Sequence, residues 1–337
     1  MNQSNENILQ VLTREGVLIK VSIRYWRGQK KLRPEEIGLK AGAVSDRLIS
    51  LGHKRLLPKD ALQELSLVEG RAHALVEANT FPFLNGLGHF LPNGRLAEVT
   101  QKINELEREF WSAKQDFLLK YSTLRANASR EWRTMAERLV DDPSRLVATI
   151  EAAFPLSREM DRYFSFDLQM FQISLPQSMA IDMVTYAEQR DVIAARQQAT
   201  QAAGEKIRRD TESFVSDCVA ALREQTATLC EEMLSSINNC ETGVHQKTLN
   251  RLIRFIDQFK QMNFMNDHVM EQQLEAVRKE LLTKTAEEYR DSKTSRARLV
   301  TGLSQLADKA RELSKADASN LVQRFGELGK RKFNLAA

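Results

Sequence analysis

Two Glu-x-x-x-His pairs, Glu69 with His73 and Glu241 with His245, are the residues whose types and spacing come nearest to metal chemistry. On a helix each pair would set a carboxylate and an imidazole on one face. A di-metal site in a helical bundle needs Glu-x-x-His twice and two further carboxylates, so the four-residue step here favours surface polar pairs. His53, His89 and His268 have no triad or ligand partner in the sequence. The run Asn85-Gly86-Leu87-Gly88 holds a Gly-x-Gly, but neither a third spaced glycine nor the lysine and hydroxyl of a phosphate loop follows. A tight turn explains it equally well. Gly-x-Ser-x-Gly, His-Glu-x-x-His and Cys-x-x-Cys do not occur. The sequence thus nominates no catalytic residue, no metal ligand and no cofactor, and leans away from an enzyme.

Cations and aromatics offer a different chemistry. Arg24, Trp26 and Arg27, followed by Lys30, Lys31 and Arg33, combine the groups that grip a phosphate backbone and stack bases, and Lys330, Arg331 and Lys332 add a second cluster near the other end. Net charge is +4, but unevenly spread: residues 1–57 carry +6, residues 291–337 carry +5, and the stretch between carries −7. Such a pattern suits contact with a polyanion, docking on an acidic partner, or pairing between the chain's own segments. Tyr25, however, continues the apolar alternation of a strand, and lysine and arginine also guard exposed strand edges.

These side chains need elements to hold them. GVLIKVSIRYW alternates with period two and argues a strand over 16–26, and YFSFDLQMFQISL argues a second over 163–175, with a change of phase at Phe171 that a bulge would produce. Pairing between them would satisfy both backbones. Pro34 with Glu35 and Glu36 has the form of a helix start, another short helix ends at Gly52, and Pro58 opens a longer one towards Asn79. FPFLNGLGHFLPNG reads as a buried loop or a hairpin. From about Arg95 to Val140 runs a seam: Leu96, Val99, Ile103, Leu106, Phe110, Ala113 and Phe117 recur at three- and four-residue steps, with a stutter where Tyr121 follows Phe117 by four. Such a stripe is what one helix offers another. Asp142, Pro143 and Ser144 start a short helix ending before Pro155.

After Pro176 nearly everything is helical. Val215, Val219, Leu222, Leu229 and Met233 mark one seam, and further ones run through Leu249–Phe259, Leu274–Leu281, Leu299–Leu313 and Leu321–Leu328. These can satisfy each other, and the first seam, by folding back, although self-association would serve too. Met262, Met265 and Met270 around Phe264 suit core filling before an adaptable partner surface. Cys218, Cys230 and Cys240 form no ligand spacing, and on one helix Cys218 and Cys230 would stand roughly 18 Å apart, beyond disulfide reach. With no secretory signal at the start, the expectation is a cytoplasmic protein.

The runs LTREGVLIKVSIRYWRGQKKL, ISLGHKRLLPKDAL and FPFLNGLGHFLPNGRL, leading into the seam, resemble an uncharacterised domain-of-unknown-function family of bacteria, phages and mobile elements, over roughly residues 9–135. Members are often encoded beside a MoxR-type or cobaltochelatase-like AAA+ ATPase and a von Willebrand A-type protein. The resemblance implies an adaptor or subunit in an ATPase-driven assembly, in phage defence or element maintenance, with no catalytic residues to carry over. The expected fold is mainly α with a small β element: an elongated helical bundle or antiparallel coiled-coil body plus a small antiparallel sheet or ribbon. An α+β domain over 1–176 would precede an all-α region over 177–337. Leu96, Val99, Ile103, Leu106, Phe110 and Phe117 would hold the scaffold, with the basic segments docking a partner or, alternatively, DNA or RNA.

Overall fold

The structure, a computed structural model, describes residues 5–39, 51–83, 86–172, 189–239, 243–315 and 321–325. The protein is mainly α-helical with a small sheet built from strands of its N-terminal half. The chain forms two compact units, each assembled from separated stretches: the first from 1–19, 79–97 and 170–337, the second from 20–78 and 98–169. The expected boundary at 176–177 lies outside the described residues.

Strand β1 (Gly16–Arg24) has strand β5 (Gly88–Pro92) on one side and strand β6 (Ser165–Phe171) on the other, while strand β4 (Phe81–Phe83) pairs with β5. The pairing of the two long strands expected from their alternation is therefore realised. FPFLNGLGHFLPNG is the β4–β5 hairpin, antiparallel with Phe81 opposite Phe90, and Gly86 in its turn has φ of 92°. Burial along β6 ends at Phe166, and Met170 and Phe171 are exposed. The phase change thus coincides with the end of the described strand, and residues 173–175 lie outside the described set.

In the first unit, helix α1 (Asn5–Glu15) buries Ile8, Val11 and Leu12 against α5 (Gln189–Asn239). The sequence gives little sign of this helix, because its apolar residues are confined to the short stretch Ile8–Leu12 between polar ends. Helix α9 (Lys293–Lys315) lies along α5 and runs antiparallel to it, as its contacts require: Arg223 of α5 donates to the Leu313 carbonyl at 2.6 Å, and Arg296 of α9 donates to the Ile237 carbonyl at 2.8 Å. Each arginine occupies one of the last-turn carbonyls that a helix leaves unpaired. Helices α6 (Gln246–Met262) and α7 (His268–Leu281) pack on this pair, followed by the short α8 (Ala286–Asp291). Met262, Phe264, Met265 and Met270 are buried, and Phe264 meets the rings of Phe81, Phe90 and Phe325, so the methionines fill core. Cys218 and Cys230 are free and buried, and burial raises both thiols, that of Cys230 to about 12.

One polar knot is sealed inside this apolar mass. Arg223 Nε donates to Asp267 at 2.7 Å with both side chains almost wholly buried. Asp267 also caps α7 by accepting from the Met270 amide, while Asn263 accepts from the Asp267 amide. Asn266 adopts φ of 56°, a conformation asparagine tolerates better than most residues.

In the second unit, helix α2 (Gln63–Asn79) follows a short 3-10 turn at Lys59–Leu62, and α3 (Asn93–Leu139) contributes most of its length. Val99, Ile103, Leu106, Phe110, Ala113 and Phe117 are buried, as the seam requires, and Leu96 is half-buried. Their partner differs from the expected helix. Phe110 meets Phe164 and Phe166, and Phe117 meets Trp26 and Phe164. Aromatic rings brought by the strand ends take the place that a second heptad stripe would fill. α3 continues unbroken through the stutter, where Tyr121 is buried and donates to the Pro155 carbonyl at 2.7 Å. Helix α4 (Pro143–Ala153) begins as expected, with Asp142 accepting from the Arg145 amide.

Candidate functional site

The N-terminal basic segment does not fold as one surface. Arg24 ends β1 exposed and donates to Ser165 Oγ at 3.0 Å. Trp26 is buried, its indole edge-on to Tyr121 and tilted against Phe117 and Phe154. This corrects its placement among docking residues: the large apolar ring is worth more in the core than on the surface.

Arg27 is already occupied. Its guanidinium donates to both Glu69 oxygens at 2.5 and 2.7 Å, hydrogen-bonds the Tyr25 hydroxyl and covers the Tyr25 ring at 3.9 Å. The Tyr25 hydroxyl in turn donates to Glu69 at 3.2 Å. Arg27 therefore holds the Glu69 carboxyl below its ordinary value, while burial raises the Tyr25 phenol. Glu69 is thus taken up by Arg27 and Tyr25 rather than set aside with His73 for a ligand, and Glu241 lies outside the described residues. Among the described residues no three histidine, cysteine or carboxylate side chains gather as a metal site would need.

Gly28, at φ of 60°, then turns the chain into strand β2 (Gln29–Lys31), which pairs antiparallel with strand β3 (His53–Arg55). Gln29 stands opposite Arg55, Lys30 opposite Lys54 and Lys31 opposite His53. Two more backbone bonds extend the ladder at its ends, one from the Leu56 amide to the Gly28 carbonyl at 2.7 Å and one from the Leu32 amide to the Gly52 carbonyl at 3.1 Å. Directly opposed lysines repel. The ribbon relieves this by turning Lys54 inward, where it is buried and ion-paired with Glu36 at 2.5 Å. Gln29, Lys30, Lys31, His53 and Arg55 all remain exposed, with Arg33 just beyond them. The Trp132 indole donates to the Arg55 carbonyl at 2.9 Å and fixes the ribbon on α3.

The second strand of this ribbon escapes sequence reading, because three residues are too few to display a period. The available sign is the spacing of Gly28 and Gly52 around two short basic runs. Lys330, Arg331 and Lys332 lie outside the described residues.

A family model described as "Protein of unknown function (DUF3150)" matches residues 13–306. The chain belongs to this family. The match takes in the ribbon, the α3 seam and the α5–α8 region, well past the 9–135 stretch that carries the resemblance. No curated protein and no solved structure matches the chain. Among the described residues no helix is long and apolar enough to cross a membrane.

Proposed function

We propose that this protein is a helical adaptor that docks an acidic surface through its basic ribbon. The observation that carries the reading is the ribbon itself: five exposed polar or basic side chains on two paired strands, held rigid by Trp132 and with the one inward lysine neutralised by Glu36. A preformed surface of one charge sign speeds encounter and sets register with a partner of the opposite sign. The partner proposed is an AAA+ ATPase, with a von Willebrand A-type protein in the same assembly, acting in the cytoplasm on a mobile element or in phage defence. That identification rests on the family resemblance alone.

The test is copurification from the native host with mass spectrometry, comparing the wild type with K30E/K31E/R33E. Loss of the ATPase from the variant is the expected result. Undiminished recovery would remove the ribbon from the docking surface, and recovery of no ATPase with the wild type would remove the partner.

A second reading is nucleic-acid binding, favoured by one geometric fact: a two-stranded ribbon is among the elements that the major groove of a duplex admits. It requires retention on DNA or RNA at low salt and an affinity that falls steeply as salt rises. Absence of retention at low salt would dismiss it.

A further inference from the structure

Beside the ribbon, wholly within the second unit, lies a cavity of about 700 Å³, within the range that ligand pockets occupy. Its cationic wall is formed by Arg55, on the last position of β3, and by Lys59, at the start of the turn into α2. Among the described residues neither forms an ion pair. Arg27 also lines the cavity, but Glu69 already neutralises it, and Asp60 offsets one of the two remaining charges. One positive charge is left in surplus. That suits a carboxylate better than a phosphate dianion.

The rest of the lining sets aliphatic side chains beside the polar Gln29, Gln63 and Ser66. Leu57 and Leu62 form a buried floor, and Leu67, on the first turns of α2, stands at the rim 56% exposed. Among the described residues the one ring in the lining, Tyr25, is buried and covered by Arg27, so it offers no open face for a base to stack on. This chemistry disfavours nucleic acid and favours an extended segment in which an acidic residue sits next to aliphatic ones.

We infer that this cavity receives an acidic–aliphatic peptide segment of the docking partner, the carboxylate held by Arg55 and Lys59 and the neighbouring side chain by Leu57, Leu62 and Leu67. The inference rests on the docking reading and gives that reading a sequence preference, which ribbon charge alone would not.

The test uses the full chain and three fluorescein-labelled hexapeptides read by polarisation: Gly-Leu-Glu-Leu-Glu-Gly, its neutral analogue with both Glu replaced by Gln, and its hydrophilic analogue with both Leu replaced by Ser. The first should bind at least tenfold tighter than either analogue. R55E/K59E and, separately, L67S should each weaken it tenfold, whereas K30E/K31E/R33E should change it less than threefold. L67S alters an exposed side chain, so unchanged melting of that variant keeps the result interpretable. Equal binding of the Leu and Ser peptides, or insensitivity to both cavity variants, would overturn the inference. The ribbon variant is the arm that separates the two ideas, since the cavity can fail while ribbon-dependent copurification survives, and the reverse.

Discussion

Both units contain an arginine clasping a carboxylate, and the two clasps do opposite work. In the first unit Arg223 and Asp267 are buried with side-chain exposures of 6% and 3%. Arg27 and Glu69 of the second meet at the surface, with 51% and 19%. The buried pair ties together three elements: α5 through Arg223, the last turn of α9 through the Leu313 carbonyl, and the start of α7 through Asp267. The exposed pair orders a single turn next to the ribbon. Burial decides which of them governs stability, because a charge stranded in an apolar interior cannot be rescued by water, while one at the surface can.

The largest expected effect follows directly. Asp267→Ala should cost about 3–5 kcal/mol in chemical denaturation, since it leaves the Arg223 guanidinium buried without its counterion. A loss below about 1 kcal/mol would mean that water reaches the site and that the two clasps are equivalent.

Helical glycines extend the contrast. A Cβ at Gly94, on the first turn of α3, would stand 2.6 Å from the Gln261 carbonyl oxygen of the same unit. Gly94→Ala should therefore destabilise by roughly 1–3 kcal/mol, as overpacking against backbone does. Gly70, inside α2 of the second unit, has nothing within 4 Å of the same atom. Gly70→Ala should instead raise stability by about 0.5–1 kcal/mol, which thermal unfolding of the two variants side by side will register. Two changes of the same sign would erase the distinction.

The smallest effect is the most specific in pH. Glu69 titrates below its ordinary value because Arg27 hydrogen-bonds its charged form. A carboxyl lowered on folding contributes stability above its unfolded value, near 4.5, and loses it as pH falls through the folded one. Glu69→Gln should cost no more than about 0.2–1 kcal/mol at neutral pH. That gap should close towards acid, and urea midpoints across pH would test it. A gap that widens in acid would refute the assignment.

Periodicity makes the long elements legible. The α3 seam, β1, β6 and the helices after Pro176 are long enough for a stripe or an alternation to declare itself. What faces each stripe is less legible, since a heptad says only that an apolar surface must be covered. The rings that cover the α3 stripe come from Trp26, Phe164 and Phe166, which in sequence look like strand residues or loop punctuation. The same limit applies at the candidate site. Lys30 and Lys31 stand out as charge, but their strand partner His53–Arg55 is too short to show, and Trp26 reads as surface because aromatic composition carries no information about burial.

The packing of α1 on α5 carries a consequence for synthesis. Ile8, Val11 and Leu12 share a core with Phe214, Val215 and Cys218, some 200 residues further along the chain. At a ribosomal pace of 5–20 residues per second, the apolar face of α1 waits about 10–40 s for its cover. Every stretch assigned to the second unit leaves the ribosome within that interval. Residues made early are thus among the last to find their place, and for that interval the nascent chain presents an uncovered apolar segment, too short to hold a helix alone, to whatever chaperone or partner meets it.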